Sequence, residues 1–255
     1  MENNKKVKEI KIKKLHFFLF IVIVLIKFLF LPIFGDTYDL GLHSYWGNFL
    51  LKNPITEIYH RTNCNLPPFW VYILWFFSKI HFLITGKKLF IYSEILKIPA
   101  LLADLAIGLL IFIFLRKENV LEERAFLASI FFLLNPFIFY LSSIWGQLDS
   151  IYVFFLILAF VLLYYKKITF ASIFLSLSFL TKLQGVVFFP LFLFFLFKNY
   201  PFKKVIVSSL IILFVIFIIL LPFLIKGISP LFIFKKTWIA SWQRSIFLSA
   251  NAFNL

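Results

Sequence analysis

The sequence predicts an all-α, polytopic transmembrane helix bundle of about seven spans, with interfacial helices in its first extracytosolic loop. Two observations carry that expectation. Of 255 residues, 62% are hydrophobic and the mean hydropathy is +0.98, whereas the apolar share of a soluble domain is about half. The apolar runs are divided mostly by short polar hairpins that alternate between basic and non-basic, which is the pattern the positive-inside rule produces.

The first run, residues 15–34, is about one bilayer long and follows Lys5, Lys6, Lys8, Lys11, Lys13 and Lys14. No small-residue cleavage site follows it, so it reads as a retained anchor with a cytosolic, basic N-terminus over residues 1–14. Further spans are expected near 94–115, 125–142, 150–165, 168–183, 185–197 and 205–225. Arg116, Lys117 and Arg124 lie in one hairpin, Lys166 and Lys167 in a second, and Lys198, Lys203 and Lys204 in a third. These three are expected in the cytosol. The hairpin around 142–150 has no basic residue and is therefore expected on the outer face.

Residues 67–84 would be taken for a span on hydropathy alone, but parity argues otherwise. A cytosolic N-terminus and a cytosolic Arg116 require an odd number of crossings before residue 94, and residues 15–34 already supply one. The segment is thus expected as an interfacial or re-entrant helix within an outer loop at 35–93, a setting that suits Lys79, His81 and its two tryptophans. All six tryptophans, at 46, 70, 75, 145, 238 and 242, then fall on the outer side, where they form an interfacial belt or line a cleft that stacks a ring-shaped ligand. The module runs over 15–225. An outer tail at 226–255 ends without a closing span, so the chain is expected to be incomplete.

The formal charge of +15 is read as anchoring to an anionic leaflet, with the lipid bilayer and not nucleic acid as partner, because the basic residues sit beside the apolar runs. The single Cys64 has no partner for an internal disulfide. No Cys/His cluster has metal-ligand spacing, which leaves a divalent cation open and no cofactor assigned.

Three of the eleven acidic residues are aspartates expected on the outer face near span ends: Asp36, Asp39 and Asp149. An ionised carboxylate at the hydrocarbon edge is costly and marks a candidate site. Asp104 and Lys27 lie at depth, and a structural interhelical role is expected for Asp104. Outer cations are Lys97, Lys182 and Arg244. Acids and cations gathered at a membrane surface suit transfer from a lipid-linked phosphate, where the cations stabilise the leaving charge and an acid accepts the proton of an attacking hydroxyl.

Several stretches carry a resemblance. Asp39 with Trp46 after six intervening residues (or Asp36), "NLPPFWVYILW", "LKIPALLADL", "LNPFIFYLSSIWGQLDSIY" and "FLTKLQG" run in order over about residues 36–190. In this series the chain resembles the GT-C polytopic glycosyltransferases, in particular the dolichyl- or polyprenyl-phosphate-sugar-dependent glucosyl- and mannosyltransferases. Leu183 stands where the family's "TKPQ" has a proline. The resemblance implies an inverting hexosyl transfer, of mannose or glucose type, from a polyprenyl-phosphate sugar to a glycan, lipid or protein acceptor on the extracytosolic face. It implies Asp39 or Asp36 as base and Asp149 as part of the active site. Lys97, Lys182, Gln184 and Arg244 are then expected on the substrate, and Trp145 and Gln147 at the sugar. The rival expectations are a non-catalytic transporter or lipid-handling protein, or an inactive fragment.

Overall fold

The computed structural model describes residues 13–33, 35, 37–89 and 93–239. Asp36, Trp242 and Arg244 therefore lie outside the described residues. Every regular element among those described is helical: α1 (Lys14–Leu29), α2 (Thr37–Lys52), the single turn α3 (Ile58–Arg61), α4 (Pro68–Thr85), α5 (Ile98–Lys117), α6 (Glu122–Leu133), α7 (Pro136–Phe139), α8 (Asp149–Tyr164), α9 (Ile168–Thr181), α10 (Phe189–Asn199), α11 (Phe202–Ile225) and α12 (Pro230–Phe234). The all-α class is as expected. Among the described residues three helices, α4, α5 and α11, are long and apolar enough to cross a membrane, and a fourth crossing results if α6 and the segment after it are one bent span.

The other expected spans are shorter or broken in the structure, because hydropathy does not show where a helix breaks. The single run expected at 125–142 is divided at Asn135, whose side chain accepts from the Phe137 and Ile138 amides at 3.0 and 3.4 Å. Pro136 takes the first position of the new helix, where its missing N–H removes no bond, and the two halves are bent by 52°. The apolar run before Lys198 begins as a 3₁₀ turn (Leu183–Phe188), leaving α10 only 11 residues. α1 and α8 have 16 residues each, which at 1.5 Å per residue is about 24 Å, short of a hydrocarbon core of roughly 30 Å. α4, expected at the interface, is one unbroken 18-residue helix.

The three basic links and the start of α1 meet at one end of the bundle. The Lys13 amide donates to Glu122 Oε1 at 2.8 Å, the Lys13 ammonium pairs with Glu123, and His16 Nδ1 lies 2.6 Å from Glu122 Oε1 with its ring stacked on Phe126. Glu118 accepts from the Tyr164 and Tyr165 hydroxyls, each at 3.0 Å, and the Tyr200 hydroxyl donates to Leu163 O at 3.0 Å. Small residues hold the interior. A methyl at Gly108 would lie 2.7 Å from Leu133 Cγ, Ser129 donates to Gly108 O at 2.7 Å, and the Ser172 and Ser208 hydroxyls join α9 to α11 at 2.6 Å. Such close backbone approach is the usual means of helix association without a water-driven hydrophobic effect.

Lys27 of α1 and Asp104 of α5 are completely buried and pair at 2.8 Å. The ammonium also donates to Ser142 Oγ at 3.2 Å and lies 5.0 Å from the centroid of the Phe139 ring. Asp104 is thus interhelical, bonded to a partner on α1.

Candidate functional site

The geometry of the opposite end is set by six residues after α7. Tyr140–Trp145 form a π-helical stretch, which widens the turn and leaves backbone groups to be satisfied locally. Leu141 O accepts from both the Gly146 and Gln147 amides at 2.9 Å. Gly146 takes φ +81°, where a side chain would be strained, and a methyl there would also come within 2.9 Å of Leu40 and Lys97. The chain therefore reverses sharply and begins α8 at Asp149.

The first loop is locked onto this turn. At Gly35 an added methyl would collide with the Ile144 and Trp145 carbonyl oxygens, at 2.1 and 2.7 Å. Lys97, just before α5 and almost fully buried, donates to Leu31 O at 2.9 Å and Ile33 O at 2.5 Å. Its ammonium is committed to the end of α1, so a phosphate would have to compete with two carbonyls for it. The sequence expectation of a phosphate contact rested on its place at the head of a span, which is equally the place for an anchor.

Two polar pairs follow from this docking. Gln147 Nε2 donates to Asp39 Oδ2 across 108 residues of chain. Two residues later, Asp149 Oδ1 accepts from Lys182 Nζ at 2.6 Å. Asp149 is the first residue of α8, whose N-cap is Leu148; its carboxylate is turned to Lys182, which leaves α9 in extended conformation. Asp39, Gln147, Asp149 and Lys182 thus come together from three separate parts of the chain. Gln184 is exposed beside Lys182, and both line a cavity of about 650 Å³ whose other walls include Asn65, Leu66, Val187 and Phe234. Trp145 stacks edge-on against Tyr140, and its Nε1 is buried with no hydrogen-bond partner among the described residues. Asp36 and Arg244, also expected at the site, are outside the described residues. No group of three His, Cys, Asp or Glu side chains is gathered as a metal site among the described residues.

His43 lies one turn beyond Asp39 on α2. It packs against Trp46 and Trp70. Burial, assisted by the charge of Lys182, lowers its pKa from 6.5 to about 4. The folded chain thus resists a proton that the unfolded chain accepts, so its stability is full above pH 6.5 and falls as the pH drops towards 4. The melting temperature of the wild type relative to His43→Gln is expected to be constant above neutrality and to decline between pH 6.5 and 4. A difference independent of pH across that window would show that the imidazole is not held neutral.

No protein-family model, curated protein or solved structure matches this chain.

Proposed function

We propose that the chain is a GT-C-type membrane glycosyltransferase that moves a hexose from a polyprenyl-phosphate sugar to a glycan, lipid or protein acceptor, with inversion, on the extracytosolic side. The observation that carries the reading is the convergence of Asp39, Gln147, Asp149 and Lys182 at the end of the bundle opposite the basic links. With those links in the cytosol, the site faces outward. The reading takes α1, α8, α9 and α10 as shortened spans beside the longer ones, about seven crossings in all, and α4 as lying in the outer interface.

In this mechanism the acceptor hydroxyl attacks the anomeric carbon from the side opposite the phosphate. The bond from that carbon to the phosphate oxygen breaks, and Asp39, oriented by Gln147, takes the hydroxyl proton as the new bond forms. Lys182 stabilises the phosphate charge as it develops, and Asp149 holds the Lys182 ammonium in place. Gln184 and the cavity wall receive the donor, Trp145 packs near the sugar, and Lys97 anchors the loop that carries Asp39.

Asp149→Asn tests the site separately from the fold. The Asp149–Lys182 pair is partly solvated, at 34% and 18% side-chain exposure, and such pairs add little to stability. Melting in detergent is expected to change little while transfer falls at least tenfold, about 1.4 kcal/mol in the transition state. Normal transfer by the variant would remove Asp149 from the site. A transporter is the second reading, favoured by the ion pair of Lys27 and Asp104 inside the bundle, since ionised groups at depth also mark transport paths. It requires solute flux that Lys27→Met abolishes and Asp39→Asn leaves intact.

A further inference from the structure

Several cations stand at the end of the bundle that carries the cavity, and those nearest the site already have partners. Lys182 is matched by Asp149 at 2.6 Å, so the two together carry no net charge. Lys97 donates to Leu31 O and Ile33 O, and Arg61 pairs with Glu57. Lys236 is different. It forms no ion pair among the described residues, and its bond to Thr62 O is long, at 3.5 Å. A partly exposed ammonium so weakly held is open to an anion, with which its hydrogen bonds are shorter and stronger.

The sequence after α11 holds Lys236 at the edge of the cavity. Gly227, at φ +75°, turns the chain back. The Leu231 amide then donates to Ser229 Oγ at 3.2 Å, and Pro230 opens α12. That helix is fixed by Ile233, which is buried in the core, and by Phe232, stacked on His60 with centroids 4.4 Å apart. Lys235–Ile239 continue as a π-helical turn. Phe234 and Thr237, on either side of the two lysines, line the cavity, as does Asn65, three residues after Thr62. The contact of Lys236 with Thr62 O therefore lies where these two parts of the wall meet, and Lys182 and Gln184 form another part. The remaining lining is mostly apolar, and its Val187, Phe234 and Ile239 are exposed, which suits a hydrocarbon chain with a charged end. The flexible four-carbon stem of lysine lets the ammonium move from Thr62 O to a ligand at the mouth.

Charge balance gives this cation its use. When the acceptor oxygen bonds to the anomeric carbon, the electron pair of the broken bond stays on the phosphate oxygen and the hydroxyl proton passes to Asp39. The phosphate changes from a diester with one negative charge to a monoester with nearly two at neutral pH. A neutral Asp149–Lys182 pair orients that phosphate but leaves its added charge uncompensated. We propose that Lys236 supplies the missing cation, binding a phosphate carried on a hydrocarbon chain at the cavity mouth beside Lys182. Only the identity of that phosphate as the polyprenyl-linked donor rests on the transferase reading.

Citronellyl phosphate, a short isoprenyl phosphate, and citronellol, its neutral alcohol, serve as probes. The wild-type chain in phosphatidylcholine nanodiscs is acetylated with a water-soluble N-hydroxysuccinimide ester, and the labelling of each lysine is read by mass spectrometry. Citronellyl phosphate is expected to protect Lys236 and leave Lys235 reactive, whereas citronellol and inorganic phosphate at the same concentration protect neither. Lys236→Gln should weaken citronellyl phosphate binding by about tenfold, the loss of a hydrogen bond between charged groups. Lys236→Arg should retain binding, and Lys226→Gln, at an exposed lysine just after α11, should not change it. Equal protection by inorganic phosphate would identify a site for soluble anions, and protection in phosphatidylglycerol nanodiscs without any probe would identify bulk headgroups as the occupant; either result overturns the proposal. It is also overturned by no protection of Lys236, equal protection of Lys235, unchanged binding in Lys236→Gln or an equal loss in Lys226→Gln. The protection arm uses the wild-type chain and so decides the matter even where a variant does not fold. Binding that depends on Lys236, without any transfer from a polyprenyl-phosphate sugar, leaves the phosphate site standing and removes the transferase reading. Transfer by Lys236→Gln at the wild-type rate does the opposite.

Discussion

Asp39→Asn is expected to lower sugar transfer by about 10²–10⁴-fold, the usual contribution of a positioned general base, while the chain remains folded in the membrane. The structure explains why the two effects should separate. Asp39 accepts from Gln147 Nε2, and an asparagine retains a carbonyl oxygen that can accept the same bond, so the docking of the first loop on the turn after Trp145 is preserved. What is lost is the ability to take a proton as the acceptor oxygen attacks. The measurement is initial rate with a labelled polyprenyl-phosphate hexose, beside the melting temperature of the same preparation. Gln147→Ala is the companion variant: it leaves the base but not its orientation, and should lose activity by less. Normal turnover in Asp39→Asn would move the role away from Asp39, and Asp36, three residues upstream, would be the next aspartate to replace.

Lys27→Met should destabilise the bundle more than any substitution at the site. Removing one partner of a buried ion pair leaves the other charge without compensation, which costs about 3–5 kcal/mol. Here Asp104 Oδ2 would lose the Lys27 ammonium, and its Oδ1 already has no hydrogen-bond partner among the described residues. The expected result is a large fall in melting temperature or denaturant midpoint in detergent for Lys27→Met. Much of that loss should return in the double variant Lys27→Met/Asp104→Leu, in which neither charge is buried. Additive losses in the double variant would mean that the pair is not coupled. Since Lys27 also donates to Ser142, at the foot of the π-helical stretch that carries Trp145, the single variant should lose transfer activity as well as stability.

Much of the fold could be read in the residue pattern, and the failures have a physical cause. Charge alternation placed Arg116, Lys166 and Lys198 on one side, and the contacts of Glu118 with Tyr164 and Tyr165 and of Tyr200 with Leu163 bring those links to one end. Pro136 and Gly146 suit the break and the turn at which they stand, because one residue lacks an N–H and the other a Cβ. Helix lengths were not legible. A hydropathy run does not distinguish the 3₁₀ turn at Leu183–Phe188 from α-helix, and the break at Asn135 depends on one side chain bonding two amides. At the site, the proximity of Asp149 and Lys182 followed from their placement one hairpin apart, whereas the bond between Gln147 and Asp39 needed the tight contact of Gly35 with the turn, which no local pattern encodes. Lys97 and Lys182 look alike in sequence, each beside a span end. Only packing turns one towards two backbone carbonyls and the other towards a carboxylate.

The proposed activity is tested most directly by supplying the purified wild-type chain, reconstituted in liposomes, with polyprenyl phosphate bearing radiolabelled mannose or glucose, together with a membrane extract as the source of acceptors. The expected result is that label leaves the donor and appears on an acceptor with the opposite anomeric configuration, in step with release of polyprenyl phosphate, and that the Asp39→Asn chain leaves the label in place. A folded wild-type chain that leaves both labelled donors intact, or moves the label equally well with Asp39→Asn, would contradict the assignment.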